Sequence, residues 1–168
     1  MTSRTGAVPG VVFDLDNTLV DSECLSADRT ARNWRRCRQR LVETRVFHSV
    51  YDVLGHLARH GVPIAVVTNS PSNYAEALMQ HHGIECSVRV CYHDTPKRKP
   101  NPEPIFAAMY QAGMARDGTI GVGDTVGDQQ AYASAGILSV GAGWSPYLDG
   151  TAEWDTVLND PRQLLGLL

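Results

Sequence analysis

The chain reads as an α/β protein with a doubly wound parallel sheet, and three observations predict it. A helical stretch that closes on a glycine and leads into a short β-rich run occurs four times. Those runs are continuously apolar rather than alternating, as strands buried on both faces are. Strands alternating with helices in this way produce parallel crossovers. At 168 residues, 43% apolar and 20% charged, the chain has the size and composition of one globular domain. No internal repeat, low-complexity segment or Pro/Gly/Ser-rich linker divides it, so residues 1–168 read as a single domain.

Taken in order, the first strand is Val11-Val12-Phe13, which runs into Asp14-Leu15-Asp16-Asn17-Thr18. Residues i and i+2 of an extended chain point the same way, so Asp14 and Asp16 should project together from the carboxyl end of the strand. Open parallel sheets keep their ligands there. The alternative is a strand entering an Asx turn, which Asp and Asn commonly build. Residues 22–50 come next, too long for an ordinary connection and too short for an independent domain. Ala27, Ala31, Trp34 and Leu41 fall near helical spacing, with Arg29, Arg32, Arg35, Arg36, Arg38 and Arg40 between them, which predicts one long amphipathic helix with a basic face.

The repeating units follow. Helix 51–60 closes on Gly61 before strand 63–67; helix 72–82 closes on Gly83 before Val88-Arg89-Val90. Helix 102–112 closes on Gly113 before strand 119–122, and helix 129–135 closes on Gly136 before strand 137–140. Each glycine suits the left-handed position just past a helix end.

Bulk properties exclude several classes. The longest apolar runs fall well short of the roughly 20 residues that cross a bilayer, and residues 1–10 hold no stretch resembling a signal peptide. A soluble, cytoplasmic protein is therefore expected. Cys24, Cys37, Cys86 and Cys91 show no CxxC spacing, and a chain of this length does not need disulfides, so free thiols are expected. The six histidines are scattered without zinc-ligand spacing and read as structural or surface groups. A net charge of −3 argues neither for nor against an anionic partner.

Three further features stand at or after strand ends. Thr68-Asn69-Ser70 follows the strand at 63–67 and presents a hydroxyl at the ligand edge, while Ser70-Pro71 also suits a helix start. Closely spaced prolines stiffen the loop that carries Lys99 in Lys99-Pro100-Asn101-Pro102. Gly121-Val122-Gly123-Asp124 runs into a glycine-rich loop with Asp128 four residues on, a spacing that lets both carboxylates face one point if a helix begins there.

In this order, DxDxT, a threonine after a strand, Lys-Pro-x-Pro and GDxxxD resemble the haloacid dehalogenase superfamily of phosphatases. Residues 131–136, the loop Gly141-Ala142-Gly143-Trp144 and the tail 154–168 look like its phosphoglycolate-phosphatase-like branch. The resemblance implies that Asp14 attacks phosphorus to form an aspartyl-phosphate and that Asp16 protonates the leaving alkoxide and later activates water. It implies that Thr68, Asn69, Lys99 and backbone N–H groups after Asp14 hold the phosphoryl group, with Lys99 also steadying Asp14. Mg2+ would be bound by the Asp14 carboxylate, the Asp16 carbonyl and Asp124, with Asp128 either a further ligand or a partner of one. Dehalogenases and ion-pumping ATPases of this resemblance lack an acid at the position of Asp16, so phosphoester chemistry is favoured. The charge balance points the same way: carboxylates converging on one site repel by up to ~4 kcal/mol per close pair at an effective dielectric near 20, and need cations. An oxygen-only donor set suits Mg2+.

The nearest-looking branch carries a full helical cap where this chain has residues 22–50. The reduced insert implies either an open site for a bulky phosphorylated substrate, small molecule or macromolecule, or a homodimer in which another subunit supplies the lid. The arginines could guide a polyanion; a solvated basic face is the plainer reading. The second functional class is a catalytically idle member of the fold that binds nucleic acid or protein through the arginine helix.

Overall fold

The computed structural model describes residues 6–168, so the amino-terminal segment considered for a leader lies partly outside the described residues. Six strands form one parallel sheet in the order β5-β4-β1-β6-β7-β8: β5 (Val88–Val90), β4 (Ile64–Val67), β1 (Val11–Phe13), β6 (Ile120–Gly123), β7 (Leu138–Ala142) and β8 (Thr156–Leu158). The chain leaves β1 for β4 on one side and returns to β6 on the other, which makes the carboxyl end of β1 the switch point of the sheet.

The alternation along each strand divides the core. Val11, Phe13, Ile64, Val66, Ile120 and Val122 face one layer, with α3 (Val50–Arg59) and α4 (Ser72–His82). Val12, Ala65 and Val67 face the other, with α5 (Glu103–Ala112) and α6 (Val126–Ala135). Both faces of the central strands are dry, as their continuous apolar runs require. The helix-glycine-strand rhythm holds: Gly61, Gly83, Gly113 and Gly136 all have φ between 64° and 73°. The terminal strand β8 was not foreseen in the tail; it adds to β7 as the sheet edge.

The predicted long helix of residues 22–50 is instead broken. After a 3-10 turn at Glu23–Leu25 come α1 (Ser26–Thr30) and α2 (Trp34–Gln39), separated by Arg32 at φ 56°. The break is chemical. The Asn33 N–H turns back to the Asp28 carbonyl at 2.8 Å and closes α1, while the Asn33 side chain accepts from Arg36 N at 3.2 Å and opens α2. Breaking the helix also changes the buried face. Of the expected apolar stripe Leu41 is buried, but Ala27 and Ala31 are exposed, and Leu25 and Cys37 are buried in their place. Trp34 lies against Tyr74 of α4, ring centroids 5.4 Å apart. A short antiparallel pair, β2 (Val20–Asp21) with β3 (Arg45–Val46), closes the base of the insert. The basic face is partly spent within the protein: Arg40 reaches Asp28 and Glu43 at 2.6 Å each, and Arg29 reaches Asp16 at 2.6 Å.

Candidate active site

Three central strands end on chemistry. Phe13 is level with Val66 and with Val122 of its neighbours, and the residues that follow β1, β4 and β6 are Asp14, Thr68 and Asp124. The Asp14 N–H donates to the Val122 carbonyl at 2.9 Å, which carries the sheet pairing into the site. The Trp144 indole N–H, donating to the Thr18 carbonyl at 2.9 Å, fixes the loop that leaves it.

Lys99 stands at the centre. Its ammonium donates to Asp14 Oδ1 at 2.8 Å, to Asp128 Oδ1 at 2.6 Å and to the Val67 carbonyl at 2.7 Å, so all three of its protons are engaged. Burial by itself would lower the Lys99 pKa, but Asp128 and Asp14 hold it above the ordinary lysine value. Asn69, expected at the phosphate, donates to the Lys99 carbonyl at 2.9 Å and so secures this loop. Thr68 accepts the Ser70 N–H at 3.0 Å, and both Thr68 and Asn69 line the cavity.

Asp128 sits in the first turn of α6, where its Oδ2 receives Asp124 N at 3.2 Å, Thr125 N at 3.0 Å and the Thr125 hydroxyl at 2.8 Å. Carboxylates are favoured at helix N-termini for the same reason: free N–H groups point at them. The carboxylate folds back over Gly123, where a Cβ would come within 2.5 Å of Asp128 Cβ.

Asp14, Asp124 and Asp128 each offer an oxygen within 4.8 Å of the others, all buried. A single hydroxyl, that of Thr18, lies 3.3 Å from Asp14 Oδ2 and 3.0 Å from Asp124 Oδ1, and its one proton can serve only one of them. Three carboxylates facing one ammonium leave two formal negative charges. Burial, then Asp128, raises the Asp14 pKa against the opposing pull of Lys99. Burial, then Asp14 and Asp128, raises that of Asp124. The deficit and the all-oxygen donor set fit one hard divalent cation.

Asp16, expected with Asp14, is separated from this cluster by its hydrogen bonds. Its Oδ1 accepts from Ser22 Oγ and Tyr74 OH at 2.6 Å each and pairs with Arg29 Nη1 at 2.6 Å; Oδ2 accepts from Ser70 Oγ at 3.1 Å. Burial and the Asp16 charge push the Tyr74 phenol up, so it remains a donor. The residues alone suggested no role for Thr18, Ser22 or Tyr74, and Ser70, expected at a helix start, instead gives its hydroxyl to Asp16, while α4 begins at Ser72 without a side-chain cap. Thr18 stood in the motif itself, and Arg29 stood among the arginines but without its partner. The cavity onto which Asp14, Asp16, Thr68, Lys99, Asp124 and Asp128 open measures about 390 Å3, and Ser26, Arg29 and Thr30 of the insert supply one wall.

Residues 26–142 match the model of the haloacid dehalogenase-like hydrolases, and the chain belongs to that family. The matched span includes Thr68, Lys99, Asp124 and Asp128; Asp14 and Asp16 precede it. Among curated proteins, N-acetylmuramic acid 6-phosphate phosphatase of Pseudomonas aeruginosa is 30% identical over 76% of this chain and 59% of its own length. Phosphoglycolate phosphatase of Pectobacterium atrosepticum is 36% identical over 57% of this chain and 42% of its own length. The chain thus spans about half the length of the curated relatives it matches. The solved structure of a protein described as a putative phosphoglycolate phosphatase from Lactobacillus plantarum superposes with a TM-score of 0.80 at 18% identity, covering 96% of this chain and 100% of that one. A putative beta-phosphoglucomutase from Thermotoga maritima gives 0.76 at 18% identity, covering 95% of this chain and 98% of that one. These two establish the α/β fold.

Proposed function

We propose that the chain is an Mg2+-dependent phosphomonoesterase working through an aspartyl-phosphate on Asp14. The observation that carries this reading is the buried, charge-deficient cluster of Asp14, Asp124, Asp128 and Lys99 at the switch point of the sheet, with a separately held Asp16 in the same cavity. The curated relatives are named phosphatases, and their named substrates are phosphorylated small molecules. A small phosphate ester is the substrate class this supports.

Asp14 and Asp124, with the Asp16 carbonyl, would hold Mg2+, which when bound neutralises the excess charge and polarises a phosphoryl oxygen. Asp128 acts as an anchor in this reading, because its two oxygens already serve Lys99 and the start of α6. An oxygen of the Asp14 carboxylate attacks phosphorus in line, forming an O–P bond as the ester O–P bond breaks. Thr68 orients a phosphoryl oxygen. Lys99, its donors committed, acts through its charge and by fixing the Asp14 rotamer. Asp16 delivers the proton to the departing alkoxide, then takes one from the water that cleaves the aspartyl-phosphate and restores Asp14. An idle protein that contacts nucleic acid or another protein through the arginine-rich insert is less well supported, since Arg40 pairs with Asp28 and Glu43 and Arg29 turns inward to Asp16.

Phosphate release from 4-nitrophenyl phosphate, with Mg2+ and with chelator, tests the proposal. Turnover should require the metal. Turnover unaffected by exhaustive chelation, or none with Mg2+ across a panel of phosphate esters, would refute it.

A further inference from the structure

A second cavity, of about 290 Å3, adjoins the first and shares Arg29, Thr30 and Asn69 with it. Its remaining wall is Arg32, Trp34, Pro71, Tyr92 and His93, with no Asp or Glu among the described residues that line it. The contrast with the aspartate-rich cavity beside it is sharp: arginines and aromatic rings line this one where carboxylates line the other. Its aromatic faces are fixed from behind: Trp34 leans on Tyr74, and the Arg98 guanidinium lies 4.1 Å from the centre of the Tyr92 ring. Its guanidiniums are under-used. Arg29 meets Ser22 at 3.1 Å and Asp16 at 2.6 Å through Nη1 alone, although its planar fork carries five N–H donors. Arg32 makes no ion pair with a carboxylate among the described residues. It also occupies the left-handed position that closes α1, where glycine would be less strained.

We infer that this second cavity seats the alcohol part of the substrate and selects phosphomonoesters whose leaving group carries a second anionic group on a ring-sized body. The inference rests on the phosphomonoesterase reading above. With the phosphoryl group at Asp14, the rest of the molecule crosses the rim formed by Thr30 and Asn69. Its ring lies against Trp34 and Tyr92, and its anion reaches Arg32 and the free edge of Arg29. A planar guanidinium fork matches a carboxylate or a phosphate, so either anion satisfies the site.

The test is calorimetric titration of the protein, in MgCl2, with 4-(phosphonomethyl)benzoate and with 4-(phosphonomethyl)benzamide, non-hydrolysable compounds that differ in one charge. The benzoate should bind about tenfold more tightly, the scale of one charge-assisted hydrogen bond. Arg32→Gly should reduce that ratio to about two or less, without lowering the melting temperature, because glycine suits the backbone there. Arg38→Gln, which removes an exposed insert arginine that lines neither cavity, should retain the full ratio. Equal affinities in the unmodified protein, no binding of either compound, a ratio that survives Arg32→Gly, or one that falls equally in Arg38→Gln would overturn the inference. Turnover of 4-nitrophenyl phosphate reports separately on the chemistry. An idle protein that still prefers the benzoate would keep the subsite and lose the enzyme.

Discussion

Two aspartates two residues apart occupy opposite electrostatic surroundings. Asp14 faces an ammonium and two further carboxylates, whereas Asp16 is held by a guanidinium, a phenol and two hydroxyls. In the proposed chemistry, Asp16→Asn should cost about 10²–10⁴ in rate on alkyl phosphates, the range for a positioned acid/base. The loss should be smaller on 4-nitrophenyl phosphate, whose leaving group departs without a proton; equal losses on both esters would remove Asp16 from that role. Gly123→Ala should destabilise the fold by about 1–3 kcal/mol in denaturant titration, the range for overpacking, because its methyl meets Asp128 head-on. The residues at strand ends, Asp14, Thr68 and Asp124, were legible in the sequence because an apolar run dictates where its strand stops. The partners of Asp16 were not legible. Tyr74 comes from a different helix and Arg29 from the insert, and nothing in residue spacing says that either will turn toward the β1 loop.

At the scale of elements, the strand and helix order of the core followed from periodicity and glycine punctuation, while the insert did not. A helical pattern from Ala27 to Leu41 ignored the competition that Asn33 offers, as cap of α2 and as donor to Asp28. The resulting break places a non-glycine residue in the left-handed region. Relief of that strain by Arg32→Gly should raise stability by about 1 kcal/mol, read from the denaturation midpoint at constant slope. No change, or a loss, would show that the Arg32 side chain contributes more than its backbone costs. Leu41→Ala should loosen the insert, raising amide exchange across α1 and α2 while β1, β4 and β6 stay protected, since α2 packs on α4, with Trp34 against Tyr74, and none of the insert pairs with the six-stranded sheet. The strand β8 was not legible because three residues, Val157 exposed and its neighbours half-buried, are too short a run at the sheet edge to show a period.

For the molecule as a whole, the buried charge deficit links stability, pH and metal. In chelator, Asp14 and Asp124 titrate above the ordinary carboxylate range when folded. A raised folded pKa means that the folded state binds more protons than the unfolded one. Stability from these groups is therefore present at acid pH and is lost as pH climbs through their folded values. A divalent cation competes with those protons, so Mg2+ should raise the melting temperature more at about pH 8 than at about pH 5; equal increments would mean that the cation does not bind these carboxylates. No helix among the described residues is long and apolar enough to cross a membrane. Both faces of the sheet are covered by helices, and the chain spans about half the length of the curated relatives it matches. The most direct test compares phosphate release by the unmodified protein and by Asp14→Asn, both saturated with Mg2+ and both shown to be folded. If Asp14 is the nucleophile, the variant should lose at least about 10³ in rate, the order of loss when a group acting in concert with its neighbours is removed; indistinguishable rates would contradict the assignment.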